Sequence, residues 1–299
     1  MQKMIFPKPL PIESIGNLRD RVERLLKKPV KSLHEPNQLS FDMPLIDNKN
    51  ISNINHPSKN IAEFLNFITD AMPDGDVYLF GGILRDMALL GRRGFNSDID
   101  LVVDGNWSNF VNYLEFLNAH KNKFGGYRLM VGEWPVDIWN ARETWAIKKG
   151  LVEYKGIASL TETTVLNWDA ILMNWRTRNF IYRKNYIDDI NSMSLDIVLE
   201  KNPNPLGMAI RVFRHLCLKN AKKITPSAAN YLAKCAKKYT YEEIRKGEIS
   251  SYGNNVIHTA IYSFFKHINT SDDQNIKHQF NIASNLVKRE LDLNNHLLG

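Results

Sequence analysis

The distribution of apolar residues predicts a helix followed by two buried strands in the first part of the chain. Apolar side chains recur at helical spacing over residues 61 to 72, and Ser58 is the predicted N-cap of this helix. Two apolar runs, residues 77 to 80 and 99 to 103, have the length and composition of buried strands. Gly81 and Gly82 follow the first run, so we expect a tight turn there that leads into a short helix.

A second helix and a β-hairpin are predicted downstream of these strands. Residues 107 to 120 again place apolar side chains at helical spacing. Residues 127 to 131 and 135 to 139 are rich in strand-forming residues, and the glycine-containing segment 132 to 134 between them is typical of a hairpin connection.

From Pro203 onward the pattern is predominantly helical. Helices are predicted over residues 205 to 218, 226 to 237, 242 to 246, 255 to 267 and 276 to 291. At the other end of the chain a short amphipathic helix is predicted over residues 18 to 28, followed by a loop to about residue 56.

These elements predict an α+β fold class with a sheet-containing head and a helical C-terminal region. The head carries a small mixed or antiparallel sheet flanked by helices. Its predicted limits are residues 58 to 200, between an N-terminal arm of residues 1 to 57 and a helical neck and body of residues 201 to 299. The arm could dock a protein partner or simply pack around the head.

Composition predicts a soluble cytoplasmic protein that has no membrane partner. Of the 299 residues, 43% are hydrophobic and 24% are charged, and no apolar run approaches the ~18 residues of a membrane span. The first seven residues lack the apolar segment of a signal peptide. Cys217 and Cys235 lie in predicted helices without metal-ligand spacing, so we expect buried thiols in a reducing compartment.

Positive charge is concentrated in the last third of the chain. Residues 201 to 299 contain 15 Lys and Arg against 7 Asp and Glu, a net charge of +8, whereas residues 1 to 200 contain 24 against 25, a net charge of −1. This excess is either a solvated helical surface or a binding surface for a polyanion. The candidate acceptor-binding residues are two lysine groups that flank one predicted helix: Lys219, Lys222 and Lys223, and Lys234, Lys237 and Lys238.

Two aspartates at the start of the second strand are the first candidate metal ligands. Asp98 and Asp100 are two residues apart, so both side chains point to the same face of a strand. Aligned carboxylates repel each other unless a cation lies between them, and their hard oxygen atoms suit Mg²⁺ or Mn²⁺. The alternative interpretation is a pair of strand-end aspartates that cap turns.

Asp137 is the third candidate ligand. It lies in the middle of an otherwise apolar predicted strand, where a charged side chain costs free energy unless something binds it. A third carboxylate on a neighbouring strand is what two-metal chemistry requires. Alternatively, Asp137 lies on a solvent-exposed face opposite Val136 and Ile138.

The two-glycine turn is a candidate nucleotide-binding element. Gly81 and Gly82 lack Cβ atoms and allow a phosphate to approach the backbone, and the following helix offers free N–H groups at its positive end. Arg85 adds a charged donor, and Asp86 is expected to orient it.

The ordered motifs resemble the nucleotidyltransferase superfamily that includes DNA polymerase β, and within it the head and neck of bacterial poly(A) polymerases and class II CCA-adding enzymes. The motifs are the glycine-arginine-aspartate segment 81 to 86, the Leu-Leu-Gly-Arg segment 89 to 92 and the paired aspartates 98 and 100. The resemblance implies a nucleotidyltransferase head, an NTP substrate and catalytic metal ligands at Asp98, Asp100 and Asp137.

The resemblance also implies further nucleotide contacts. Arg142 and Glu143 follow Asp137 at the family spacing, and Arg211 and Arg214 match the arginines of the neck helix. Residues 166 to 174 resemble a family helix, which is followed by a strand at 179 to 183 and a turn at 186 to 189. The acidic pair that precedes the neck arginines in CCA-adding enzymes is absent here, so the sequence does not predict selection of C and then A.

The sequence therefore predicts a template-independent, metal-dependent nucleotidyltransferase, with a tRNA or other RNA 3′ end as the favoured acceptor. Two alternatives are transfer to a protein side chain or small molecule, and a catalytically reduced nucleotide- or RNA-binding module. The three aspartates argue against the last.

Overall fold

The computed structural model describes residues 8–29, 58–95, 97–117, 119–219 and 221–268. The chain divides into two compact units: Met1–Thr164 with Trp168–Ile187, and Val165–Asn167 with Asp188–Gly299. These limits differ from the predicted boundaries at residues 57 and 200. The predicted helix over residues 276 to 291, and most of the predicted loop after the first helix, lie outside the described residues.

The first unit is built on a mixed seven-stranded sheet. Its spatial order is β3-β4-β5-β2-β1-β6-β7, and β2 pairs with β5 in parallel while the other neighbours pair antiparallel. The strands are β1 Asp76–Phe80, β2 Ile99–Asp104, β3 His120–Lys121, β4 Tyr127–Val131, β5 Trp134–Asn140, β6 Ile171–Asn174 and β7 Phe180–Tyr182. The predicted α+β fold class, with a mixed sheet flanked by helices and a helical C-terminal region, is confirmed.

Polar side chains cap the start of several helices, including the first, second and fourth. In the first unit, Asn60 rather than the predicted Ser58 caps the second helix, because its side chain accepts a hydrogen bond from Glu63 N at 2.8 Å. The Glu63 carboxylate in turn accepts a hydrogen bond from the backbone of Lys59. The helices that begin in this unit are α1 Ile15–Leu26, α2 Ile61–Asp70, α3 Gly82–Leu89, α4 Trp107–Phe116, α5 Trp145–Lys148 and α6 Tyr186–Ser192.

The described part of the N-terminal arm packs on α3. The backbone of Leu10 donates to Leu89 O at 2.8 Å, and Arg21 Nη1 donates to Met87 O at 2.9 Å. These contacts satisfy carbonyl groups at the C-terminal end of α3, which otherwise lack intrahelical partners. The arm residues therefore hold the helix that follows the two-glycine turn.

Residues 166 to 174 are not the helix that the sequence predicted. A short 3₁₀ turn, Asn167–Asp169, is followed by β6, which pairs with β1 on one side and β7 on the other. All four β6 residues are buried. A short apolar run has no periodicity that separates strand from helix, and here pairing on both edges makes it a strand. The predicted strand at 179 to 183 is β7, whereas the predicted turn at 186 to 189 is the start of α6.

The second unit is helical, with one pair of two-residue parallel strands, β8 Ser194–Leu195 and β9 Lys223–Ile224. Its helices are α7 Pro205–Leu218, α8 Pro226–Lys238, α9 Tyr241–Tyr252 and α10 Thr259–His267. α7 has the predicted limits. α9 is longer than predicted: a capping box of Thr240 and Glu243 starts it, and it continues to Tyr252, where Gly253 in the left-handed conformation ends it. Among the helices that the structure describes, none combines the length and hydrophobicity that crossing a membrane requires.

Candidate active site

Three charged side chains form a row across the middle of the sheet. Asp100 on β2 is the direct partner of Asp137 on the parallel strand β5, and Asp137 is the direct partner of Arg128 on β4. Directly paired residues project from the same face, and neighbouring strands lie ~4.8 Å apart. Asp98 is two residues before Asp100, immediately before β2 begins.

Arg128 binds two of the three carboxylates. Its Nε donates to Asp137 Oδ1 at 2.8 Å, and its Nη2 donates to Asp98 Oδ2 at 2.7 Å and also to Asp137 Oδ2. The side chains of Arg128, Asp98 and Asp137 are 12%, 18% and 19% exposed. Asp98 and Asp137 therefore converge on one cationic nitrogen in a partly desolvated site.

The environment keeps Arg128 charged. Burial alone would lower the pKa of its guanidinium, but the hydrogen bond that it donates to Asp137 and the charges of Asp137, Asp98 and Asp100 outweigh burial and raise that pKa. The carboxylates thus form a strongly negative site for which Arg128 supplies the positive charge.

The donor set fits a divalent cation in chemistry and convergence. Asp98, Asp100 and Asp137 supply hard oxygen ligands from one face, as Mg²⁺ and Mn²⁺ require. Within the described residues, no group of three or more His, Cys, Asp or Glu side chains is already arranged as a metal site. At this cluster the guanidinium of Arg128 forms ion pairs with both Asp98 and Asp137.

The two-glycine turn lies beside this cluster. Gly81 has φ 59° and ψ −109°, a conformation that residues with a Cβ rarely adopt, and α3 begins at Gly82 without a side-chain cap. A Cβ atom on Gly82 would lie 3.1 Å from both Cβ and Oγ of Ser97. Because Ser97 directly precedes Asp98, the start of α3 packs against the segment that carries the first carboxylate.

Arg85 is enclosed in a buried network. Its Nε donates to Asp86 Oδ1 at 2.9 Å, Nη1 to Asp169 Oδ1 at 2.5 Å and Nη2 to Ser97 Oγ at 2.9 Å. Ser97 Oγ also donates to Asp86 Oδ2 at 2.8 Å. The network ties α3, the segment before β2 and the segment before β6 together. Arg85 and Asp86 therefore hold the backbone that presents the glycines and Asp98.

Arg142 and Glu143 lie away from the carboxylate row. They follow the C-terminal end of β5, so four residues lie between Asp137 and Arg142. The guanidinium of Arg142 lies 4.6 Å from the ring centroid of Tyr154, and Glu143 pairs with Lys148. Their predicted place beside the nucleotide stays a prediction.

The neck arginines lie in the second unit, on α7. Arg214 is buried and paired with Glu248, and it donates to Asn254 Oδ1 at 3.0 Å while its guanidinium lies 3.9 Å from the Tyr252 ring centroid. Arg211 is half-buried, and its carbonyl oxygen contacts Nδ1 of His215 at 2.7 Å. Arg214 thus has a structural role in this unit, and nucleotide binding by either arginine stays a prediction.

The predicted lysine groups differ in exposure. Lys219 is buried, whereas Lys222 and Lys223 before α8 are exposed. Lys234, Lys237 and Lys238 on α8 are also exposed, and Lys234 pairs with Glu200 at 3.2 Å. The two exposed groups flank α8, which is about 20 Å long at 1.5 Å per residue.

Sequence reasoning missed three residues of the site: Arg128, Ser97 and Asp169. Arg128 was detectable from the hairpin register, because a two-residue turn at Gly132–Glu133 pairs it directly with Asp137. Asp169 contacts Arg85 only because β6 lies next to β1, and no local pattern indicates that contact.

No family model matches the chain, and no curated protein matches it. Solved structures do match. One is a tRNA nucleotidyltransferase with a primer tRNA and an incoming ATP analogue. It matches at 17% identity over 61% of this chain and 54% of its own, with a TM-score of 0.46. A CCA-adding enzyme with CTP matches at 17% identity over 78% of this chain and 52% of its own, with a TM-score of 0.44.

A tRNA-processing enzyme with CTP matches at 18% identity over 58% of this chain and 46% of its own, with a TM-score of 0.42. This chain thus spans about half the length of these solved structures. They are enzymes of the kind that the sequence motifs resemble.

Proposed function

We propose that this chain is a metal-dependent nucleotidyltransferase that transfers NMP from an NTP to an acceptor hydroxyl and releases pyrophosphate. The observation that supports the proposal best is the placement of Asp98, Asp100 and Asp137 on one sheet face, next to the glycine turn that starts α3. Phosphoryl-transfer enzymes work mainly by positioning and electrostatic stabilisation, and this arrangement provides both.

Asp98, Asp100 and Asp137 are the residues that would hold Mg²⁺ or Mn²⁺. When bound, these ions lower the pKa of an attacking hydroxyl and neutralise the leaving pyrophosphate. Asp100 and Asp137 are fixed by direct strand pairing, and Asp98 is fixed by the segment that packs on α3. The protein itself therefore orients the acidic side chains before substrate arrives.

The start of α3 is the proposed triphosphate site. The first N–H groups of a helix have no intrahelical acceptor, and the helix dipole favours an anion there. Gly81 and Gly82 leave that end open because neither carries a side chain. In this proposal Arg85 and Asp86 position the turn through Ser97 and do not themselves contact the nucleotide.

The proposed acceptor is an RNA 3′ end, with tRNA favoured, and the proposed compartment is the cytoplasm. Support comes from the net charge of +8 in residues 201 to 299. Exposed lysines at both ends of α8 suit phosphate contacts. Because the charge does not identify the acceptor, a protein side chain or small molecule is the alternative for the same reaction.

A second candidate function is supported by Arg128. If its guanidinium stays bound to Asp98 and Asp137 with substrate present, the chain is a nucleotide- or RNA-binding module without transferase activity. The two functions differ in whether label from an NTP is ever transferred.

The deciding experiment is incubation of the purified protein with each α-labelled NTP, Mg²⁺ or Mn²⁺, and total RNA. Label in RNA supports the proposed acceptor, label in the protein or in a small molecule supports the alternative acceptors, and binding without transfer supports the binding module. Omission of the metal is the control, because transfer must then stop.

RNA binding by the second unit has its own test. Each phosphate contact contributes about −0.7 to the slope of log affinity against log salt for single strands. Substituting Gln at Lys222, Lys223, Lys237 and Lys238 should weaken RNA binding and flatten that slope. The control is Lys155→Gln, because Lys155 lies in the first unit, outside both lysine groups, and pairs with Glu153 at 3.0 Å. If the variant with all four substitutions binds RNA as tightly as the wild type, these lysines belong to a solvated surface.

A further inference from the structure

The position of Arg128 among the carboxylates is more specific than an ordinary strand-to-strand ion pair. Pairing of β4 with β5 explains its contact with Asp137. It does not explain the contact of the same Nη2 atom with Asp98, which lies outside this hairpin and before β2. One nitrogen thus binds two carboxylates that belong to different segments of the proposed metal site.

A guanidinium and a divalent cation exclude each other at this position. Mg²⁺ binds carboxylate oxygens at about 2.0–2.1 Å and requires a near-octahedral ligand arrangement. Arg128 Nη2 donates a hydrogen bond to Oδ2 of Asp98 at 2.7 Å and another to Oδ2 of Asp137. A metal that binds these two oxygens must compete with the guanidinium for them, and the two cations would also repel each other.

A new anionic partner for Arg128 is within reach of the same site. Asp98 directly follows Ser97, which packs on Gly82 at the start of α3. Arg128 is hydrogen-bonded to Asp98, so the consecutive residues Ser97 and Asp98 connect the proposed triphosphate site at the start of α3 with this guanidinium. Guanidinium groups bind phosphate oxygens with two parallel hydrogen bonds, as they bind carboxylates.

We infer that Arg128 is an internal cation that holds the Asp98 and Asp137 carboxylates until a divalent metal displaces it, and that the displaced guanidinium then binds the triphosphate of the nucleotide. Arg128 is thereby a positioning residue that couples metal binding to nucleotide binding. The inference rests on the proposed function for the identity of the two ligands.

Positive coupling follows from the exchange of partners. Metal alone must displace Arg128 from its carboxylates and leave a guanidinium beside a divalent cation. With nucleotide present, the guanidinium gains phosphate oxygens, so metal binds more tightly. By thermodynamic reciprocity, metal must tighten nucleotide binding by the same factor.

The test measures Mn²⁺ binding without catalysis. Free Mn²⁺ is followed by its paramagnetic resonance signal during titration of the wild type, Arg128→Gln and Arg183→Gln, with and without a non-hydrolysable NTP analogue. Arg183 pairs with Glu162 elsewhere in the first unit, so its substitution removes one positive charge without touching the carboxylate row.

Arg128→Gln should bind Mn²⁺ alone at least about tenfold more tightly than the wild type, a difference of about 1.4 kcal/mol. The analogue should tighten Mn²⁺ binding in the wild type and in Arg183→Gln, but it should have little effect in Arg128→Gln. Unchanged Mn²⁺ affinity in Arg128→Gln, or equal coupling in all three proteins, would overturn the inference.

Two further measurements keep the outcome clear. Thermal melting verifies that Arg128→Gln is folded; if it is not, Arg128→Lys decides, because an ammonium lacks the fork that spans both carboxylates. Mn²⁺ affinity in Arg128→Lys that equals the wild-type value would then refute the inference. Failure of the proposed function is seen separately, as metal binding in these titrations without transfer of label from any NTP.

Discussion

Arg85→Met should destabilise the first unit strongly, because Arg85 forms buried ion pairs with both Asp86 and Asp169. The Arg85 side chain is 8% exposed, and those of its partners are 0% and 12% exposed. Substitution by Met leaves two desolvated carboxylates without the guanidinium. Removing one partner of a buried ion pair costs about 3–5 kcal/mol, and we expect the upper end here because two carboxylates are affected.

Thermal unfolding followed by circular dichroism measures this effect. For domains of 150–250 residues, each kcal/mol corresponds to about 2–4 °C in Tm, so we expect a decrease of roughly 10 to 20 °C. Arg245→Met is the matched control: Arg245 also makes two hydrogen bonds to a carboxylate, at 2.9 Å each to Glu242, but that pair is exposed. Its substitution should leave Tm nearly unchanged.

The two variants separate a structural role of Arg85 from a direct nucleotide contact. If Arg85→Met melts like the wild type while its affinity for NTP falls, Arg85 is free to bind nucleotide and the network has been misjudged. If the Tm of Arg85→Met is below that of the wild type at all nucleotide concentrations, Arg85 has a structural role and holds Gly82 and Ser97 in position.

Three further predictions concern other parts of the chain. Gly81→Ala should lower stability by about 1–3 kcal/mol because φ is 59° there, whereas Gly16→Ala, in α1, should not; urea unfolding compares them. Burial raises the pKa of Cys217 to about 12 and that of Cys235 to about 11. Both thiols therefore stay protonated at pH 8 and should react with a disulfide reagent only after unfolding, and fast reaction of the native protein would contradict their burial. Glu248→Gln should destabilise the second unit by about 3–5 kcal/mol, because Glu248 is the buried partner of Arg214, and hydrogen exchange should locate the loss there.

The local motifs were predictable because their chemistry depends on residues close in sequence. The glycine turn, the paired aspartates and α7 all follow from composition and periodicity over short segments. The direct alignment of Asp100 with Asp137 is consistent with the expected third carboxylate on a neighbouring strand. These parts of the site needed no knowledge of long-range contacts.

The role of Arg128 was missed because it depends on hairpin register. A three-residue connection over 132 to 134 would place Leu129, rather than Arg128, opposite Asp137. The structure has a two-residue turn in which Gly132 has φ 59°, and this pairs Arg128 with Asp137. A one-residue shift moves a side chain to the other face of the sheet, so an error of one position removed Arg128 from the predicted site.

Strand β6 was missed for a different reason. Its four residues are buried, and its apolar run of Ile171, Leu172 and Met173 is too short for periodicity to separate helix from strand. Pairing with β1 and β7, which are distant in sequence, determines its conformation. The contact of Asp169 with Arg85 follows from that pairing, so no local sequence pattern predicts it.

Transfer of label from an α-labelled NTP by the wild type and by Asp98→Asn, Asp100→Asn and Asp137→Asn tests the central claim most directly. Each substitution keeps the shape of the side chain and removes one charge from the proposed metal site. Turnover should fall by at least about a hundredfold, or ~2.7 kcal/mol in activation free energy, in each variant. Asp70→Asn, an exposed position at the end of α2, should transfer label like the wild type. Wild-type rates in the Asp98 and Asp100 variants, measured on folded protein, would contradict the assignment of these carboxylates as the catalytic metal site.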